Sequence, residues 1–131
     1  MTSWPSHYPT SCPPDNAAPA TCVIYRFTSR ATINPKDFQS YYDRNPQDEW
    51  GGMACQARGL SVYPSIQACE DVAEKVPSLK KKKLAEGMLQ QSHGKLAATP
   101  SDNSPSHMTW WISAGCPNPT TFFTNTASWG I

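Results

Sequence analysis

The chemistry of this chain concentrates late, in SPSHMTWWIS (104–113), where a histidine and a threonine run into two adjacent tryptophans. Imidazole is the side chain best suited to acid–base work near neutral pH. On an extended strand, side chains alternate between faces, which sets His107, Thr109, Trp111 and Ser113 on one side and Met108, Trp110 and Ile112 on the other. The second set is a plain core face. The first combines a titratable ring, a hydroxyl and an aromatic plate, the makings of a cleft that stacks a planar ligand and hydrogen-bonds its polar edge. The plainer reading is an exposed face on which Trp111 covers a neighbouring helix.

Arg26 is the next suggestive residue. It interrupts the apolar run TCVIYRFT (21–28), where alternation groups it with Ile24 and Thr28 and puts Tyr25 and Phe27 opposite. A guanidinium in such a strand needs a partner, because burying its charge alone is very costly. A structural carboxylate such as Glu49 or Glu86 meets that need. So does a ligand phosphate or carboxylate, which arginine grips bidentately. The triplet His107-Met108-Thr109 also resembles the catalytic element of two-histidine phosphoesterases, which require two facing copies. Here His93 is followed by Gly94-Lys95 and His7 by Tyr8-Pro9, so the second copy is missing. P-loop, dinucleotide-binding glycine, zinc-protease and nucleophile-elbow motifs are absent as well.

The segment RGLSVYPSIQACEDVAEKV (58–76) leads from a glycine through a short strand bearing Ser61 and Tyr63 to Pro64-Ser65 and a helix with regularly spaced small residues. In this it resembles the middle of ADP-ribosyltransferase-like domains, in short and degenerate motifs covering about residues 22–76. The resemblance implies an early strand that supplies Arg or His to the phosphates and ribose of NAD. It implies a Ser/Thr strand and following helix that build the nicotinamide pocket, and a late strand with a catalytic Glu. Carried onto this chain, Tyr25-Arg26 is the early element and Leu60-Ser61-Val62-Tyr63 the middle strand. No glutamate follows Glu86, so the late Glu has no counterpart. Under the resemblance, either His107 acts in its place or the domain is not a transferase.

Strands and helices must position these residues, and the pattern supplies candidates. Strands are expected at 21–28 and 60–63, then within KLAEGMLQ and QSHGKLAAT as a pair turning at Ser92-His93-Gly94, and finally in HMTWWIS and TFFTNT. Asn34 as cap, Pro35 at the first helical position and Asp37 against the dipole start a helix through INPKDFQSYYDR. Phe38, Tyr41 and Tyr42 would share one of its faces. A second helix follows Pro64-Ser65, with Ile66, Cys69, Val72, Ala73 and Val76 as its apolar stripe and Pro77 as its end. The acidic, glycine-bearing loop Asp48–Gly52 has the composition of a lid, and Lys80–Lys83 that of a solvated turn. The order β-α-β-α-β-β-β-β gives an α+β domain with a mostly antiparallel sheet and two short helices over 21–131. A Pro-rich arm precedes it (1–20), with Trp4 and Tyr8 as its anchors.

Bulk properties limit the choices. The chain has 131 residues and a net charge of +1, which gives no global support for binding nucleic acid or an anionic membrane surface. No apolar run reaches membrane-spanning length, and the N-terminal residues lack a secretory pattern, so a cytoplasmic protein is expected. Five cysteines without a C-x-x-C pair indicate neither a disulfide framework nor a zinc site. One bridge, such as Cys12 to Cys22, is open in an oxidising compartment.

The expected function is recognition of NAD or a related nucleotide, with transfer or hydrolysis of an ADP-ribosyl or phosphate group as the catalytic version. Arg26 would hold phosphate, Ser61 and Tyr63 would line the base or ribose site, and Trp111 would stack. His107 with Thr109 would bond the recognised group, His107 being the acid–base. NAD enters as a substrate, and no cofactor or metal is otherwise indicated. The rival expectation is a non-catalytic interaction module, of the immunity or phage-partner kind, that uses the aromatic strand and the arm as its surface.

Overall fold

The run TCVIYRFT forms strand β1 (Cys22–Thr28), and two later strands are β2 (Leu60–Val62) and β3 (Lys83–Leu89). They are followed by β4 (Gly94–Ala98), β5 (Met108–Ile112) and β6 (Phe123–Asn125). The computed structural model describes residues 3–29, 32–126 and 129; the outermost residues of the expected arm and domain, with 30 and 31, lie outside the described residues. All pairings are antiparallel and fall into two three-stranded sheets, β1-β3-β6 and β2-β5-β4. Reciprocal hydrogen bonds between Tyr25 and Tyr63, at 2.8 and 2.9 Å, link the sheets. This is the α+β arrangement with antiparallel strands that the pattern predicts.

Between the sheets lies the main core. Trp110 is fully buried there with Ile24, Val62, Ala85, Leu89 and Phe123, so its face of β5 is the core face that alternation assigns. Helix α2 (Ile66–Lys75) is capped by the Ser65 hydroxyl, which accepts from the Ala68 amide at 3.1 Å. Its stripe of Ala68, Cys69 and Val72 packs on Tyr63 and Leu84 in a second cluster. Burial pushes the Cys69 thiol up to about 12, as expected of a cysteine that serves as a small hydrophobe.

Four expectations need correction. The helix expected through 33–44 is two pieces: a 3-10 turn (Pro35–Phe38) and helix α1 (Tyr41–Arg44), with Gln39 extended between them. Two tandem capping boxes cause the break. Asn34 and Asp37 close the first turn, while Ser40 and Asp43 start the next. Phe38 therefore reaches the core, whereas Tyr41 is 58% exposed instead of sharing its face.

Strands β3 and β4 are consecutive but unpaired, so Ser92-His93-Gly94 is not a hairpin turn. A 3-10 turn at Gln91–His93 passes the chain from one sheet to the other. Gly94, at φ 137°, makes the passage where a side chain would strike the Trp111 carbonyl.

The disulfide joins Cys12 to Cys55, not to Cys22, which is a free thiol packed against the main core. It ties the arm to the 51–58 segment. Finally, Arg26 takes neither Glu49 nor Glu86 as its bonded partner. It donates from Nε to the Asp37 carbonyl and from NH1 to the Ser61 carbonyl, both at 2.8 Å. Two backbone carbonyls thus take donors of Arg26, and such partners leave no trace in the sequence.

The arm lies along the second sheet. Ala18 bridges Leu96 on β4, and the Ser3 carbonyl accepts from the Ala114 amide at 2.9 Å. Trp4 and Tyr8 pack with Cys12, Ala17 and Cys55 on Trp111 and Ala97. Burial holds the Tyr8 phenol above its ordinary range, as does the Asp43 carboxylate.

Candidate functional site

One face of the β2-β5-β4 sheet carries the polar residues. Ser61 lies opposite Thr109, and Ala98 opposite Met108, so Thr99 falls beside His107 at the strand ends. Alternation then puts Ser61, Thr99, His107 and Thr109 on the same side. The contacts follow that register. His107 Nε2 is 2.8 Å from the Ser61 hydroxyl, and its Nδ1 is 2.9 Å from both the Thr99 carbonyl and the Thr99 hydroxyl. The two threonine hydroxyls are 2.7 Å apart.

These partners fix the tautomer. A carbonyl only accepts, so the neutral ring carries its proton on Nδ1 and leaves Nε2 to accept from the Ser61 O–H. The Thr99 and Thr109 hydroxyls share a bond in which either can donate. Such an imidazole is oriented from behind and presents its lone pair to a hydroxyl, the geometry of a general base next to a nucleophile.

Above this row is a cleft of about 240 Å³ with Tyr41, Trp50, Met53 and Gly59 in its walls and Ser61, His107 and Thr109 among its lining residues. Trp50 and Tyr41 have ring centroids 6.1 Å apart. The Trp50 indole N–H is buried and has no acceptor among the described residues. Gly59 is required by close approach: a Cβ there would strike the Thr109 methyl and come within 3.2 Å of the Trp111 ring.

Tyr41, Gly59 and Ser61 also border a polar cleft of about 130 Å³ that holds Arg26, Gln39, Ser40 and Arg44. That one shares Arg26, Gln39 and Arg44 with a third cleft of about 340 Å³, where Lys36, Lys82, Ser29 and Asp37 join them. Burial lowers Arg26 to about 10, and the Arg44 guanidinium adds to the effect while Asp37 opposes it. It stays protonated at neutral pH. Arg44 is exposed, with its guanidinium 5.2 Å over the Tyr41 ring.

Of the residues singled out in the sequence, Arg26, Ser61, His107 and Thr109 gather around one strand, with Ser61 at the junction. Tyr63 does not line the cleft. It is buried against α2 and meets His107 edge-on at 5.6 Å. Trp111 shares the face of His107 but is 2% exposed, sealed under the arm and donating its N–H to the Cys55 carbonyl at 2.9 Å. Thr99, Tyr41 and Arg44 complete the site without having been singled out as site residues, and Trp50 comes from the 48–52 loop whose composition suggests a lid. A strand register through the 99–107 loop would have flagged Thr99, and the capping signal at Ser40 would have turned Tyr41 and Arg44 outward.

Among the described residues, no group of three or more His, Cys, Asp and Glu side chains could hold a metal ion. Nor is any helix among them long and apolar enough to cross a membrane. Fold and site thus define an α+β protein with a polar row under an aromatic-walled cleft. Comparison with known proteins finds no matching family model, curated protein or solved structure.

Proposed function

We propose that this protein recognises NAD or a related nucleotide phosphate, with a flat ring in the aromatic cleft and phosphate along the arginine-lined clefts beside it. One observation carries the reading: the aromatic cleft shares Tyr41, Gly59 and Ser61 with a neighbouring polar cleft, which in turn shares Arg26 and Arg44 with a third cleft lined by Lys36 and Lys82. The chain as a whole is nearly neutral, so this is a local concentration of cations, suited to an anion rather than to general nucleic-acid binding. Ser61, Thr109 and His107 offer hydroxyls and an imidazole to the ring edge or ribose. His107 is the acid–base group in any catalytic version.

The ADP-ribosyltransferase-like reading draws support from the grouping of Arg26, Ser61 and His107 around the middle strand. The interaction-module reading draws less, because both strand tryptophans and the arm are used up in packing. What remains for it is Tyr41 with Met53, which is 55% exposed at the cleft. The Cys12–Cys55 bond bears on compartment. Disulfides are rare in the cytosol, so an oxidising environment suits this chain better than the cytoplasm expected from sequence.

Thermal-shift titration with NAD, ADP-ribose and ADP tests the reading. The wild type is expected to gain stability with at least one of them, about 2.7 kcal/mol at a hundredfold excess over Kd. Arg44→Ala, at an exposed position, is expected to lose most of that gain. Absence of any shift in the wild type overturns the proposal.

A further inference from the structure

We infer that Ser61 is an activated nucleophile and that the aromatic cleft is a serine-hydrolase-type site for a small carboxylic ester. The inference stands on the hydrogen bonds of the polar row and does not rest on the nucleotide reading. Ser61 is exposed at the centre of its strand, while both flanking residues, Leu60 and Val62, are buried and fix the backbone. Arg26 and the pairing with β5 hold that backbone from two sides. The hydroxyl is thus presented from a rigid element, as a nucleophile must be.

The base is equally constrained. His107 is oriented by the Thr99 carbonyl and hydroxyl at Nδ1, by the edge of Tyr63, and by its own amide, which donates to the Ser104 carbonyl at 3.2 Å. Its Nε2 meets the Ser61 hydroxyl at 2.8 Å. Thr99 takes the orienting part that a carboxylate takes in the three-residue version of this arrangement.

The reaction follows. Ser61 Oγ attacks the acyl carbon as its proton passes to His107 Nε2, and the carbonyl electrons move onto oxygen. The tetrahedral species collapses, the C–O bond to the alcohol breaks, and the proton on Nε2 goes to the departing alkoxide. Water then attacks the acyl-Ser61 ester as its proton passes to His107 Nε2, the bond from the acyl carbon to Ser61 Oγ breaks, and that proton returns to Oγ, so ester and water give acid and alcohol. A cleft of about 240 Å³ lies below the usual range of about 300–1,000 Å³ for drug-sized ligands, which restricts the acyl part to a short chain or single ring.

An alkyl fluorophosphonate, which loses fluoride to a nucleophilic serine, tests this on the oxidised 131-residue chain. The expected result is one adduct, mapped to Ser61 by peptide mass spectrometry and absent in Ser61→Ala. His107→Gln keeps a polar partner for the hydroxyl but no base, and is expected to slow labelling at least about 100-fold. An unlabelled Ser61 in folded wild type, or equal rates in wild type and His107→Gln, overturns the inference. The ADP-ribose thermal shift read on the same samples separates the two proposals, since either can be lost with the other intact.

Discussion

Ser61 meets three demands in one residue. Its carbonyl takes the Arg26 guanidinium, its hydroxyl faces His107, and its position joins the aromatic cleft to the cationic one. Part of this was legible in the sequence. Strand alternation alone puts His107 and Thr109 on one face and gives Trp110 to the core. The bonding was not legible. Arg26 pairs with backbone carbonyls, which every residue possesses, and Thr99 reaches His107 only through a register set by a loop. Gly59 shows the same limit. Its backbone, at φ −90° and ψ 166°, suits any residue, yet a Cβ would meet Thr109 and Trp111. Gly59→Ala is therefore expected to destabilise the fold by about 1–3 kcal/mol through overpacking, and to shrink the cleft. An unchanged urea midpoint would count against the close packing described.

Among elements, pattern served long segments better than short ones. The apolar stripe and Ser65 cap locate α2 to within a residue of its end, because both start and stop signals are local. Two capping boxes whose caps, Asn34 and Ser40, lie six residues apart instead divide what periodicity reads as one helix, and that division turns Tyr41 and Arg44 toward the clefts. The arm was recognisable from its prolines, but its successive turns, in which the Tyr8, Cys12 and Ala17 amides donate to the Pro5, Pro9 and Pro14 carbonyls, and its partner were not, since pairing Cys12 with Cys55 depends on chain brought together from 43 residues away. That bond clamps the arm over Trp111 and anchors the segment that contributes Met53 and Gly59 to the cleft. Closing a loop of that length is worth about 4 kcal/mol by the chain-entropy relation. Reduction, or Cys12→Ser with Cys55→Ser, is expected to lower unfolding free energy by up to that amount in urea titrations. A midpoint indifferent to reductant would remove the clamp from the account.

For the whole molecule, element order and antiparallel pairing could be read from pattern, but the division into two sheets could not. Consecutive strands usually pair, and only the passage at Gly94 sends β4 to a different sheet from β3. That passage makes the site. It leaves β2 and β5 side by side with their polar row facing α1 and the 51–59 segment, while the arm seals the other end of the same face. Amide chemical-shift mapping during an ADP-ribose titration of the oxidised protein tests the composite cleft around Ser61. Saturable shifts are expected at Tyr41, Arg44, Gly59, Ser61, His107 and Thr109, with α2 unmoved. No shifts at all, or shifts centred on the exposed face of α2 at Glu70, Asp71 and Glu74, would contradict it.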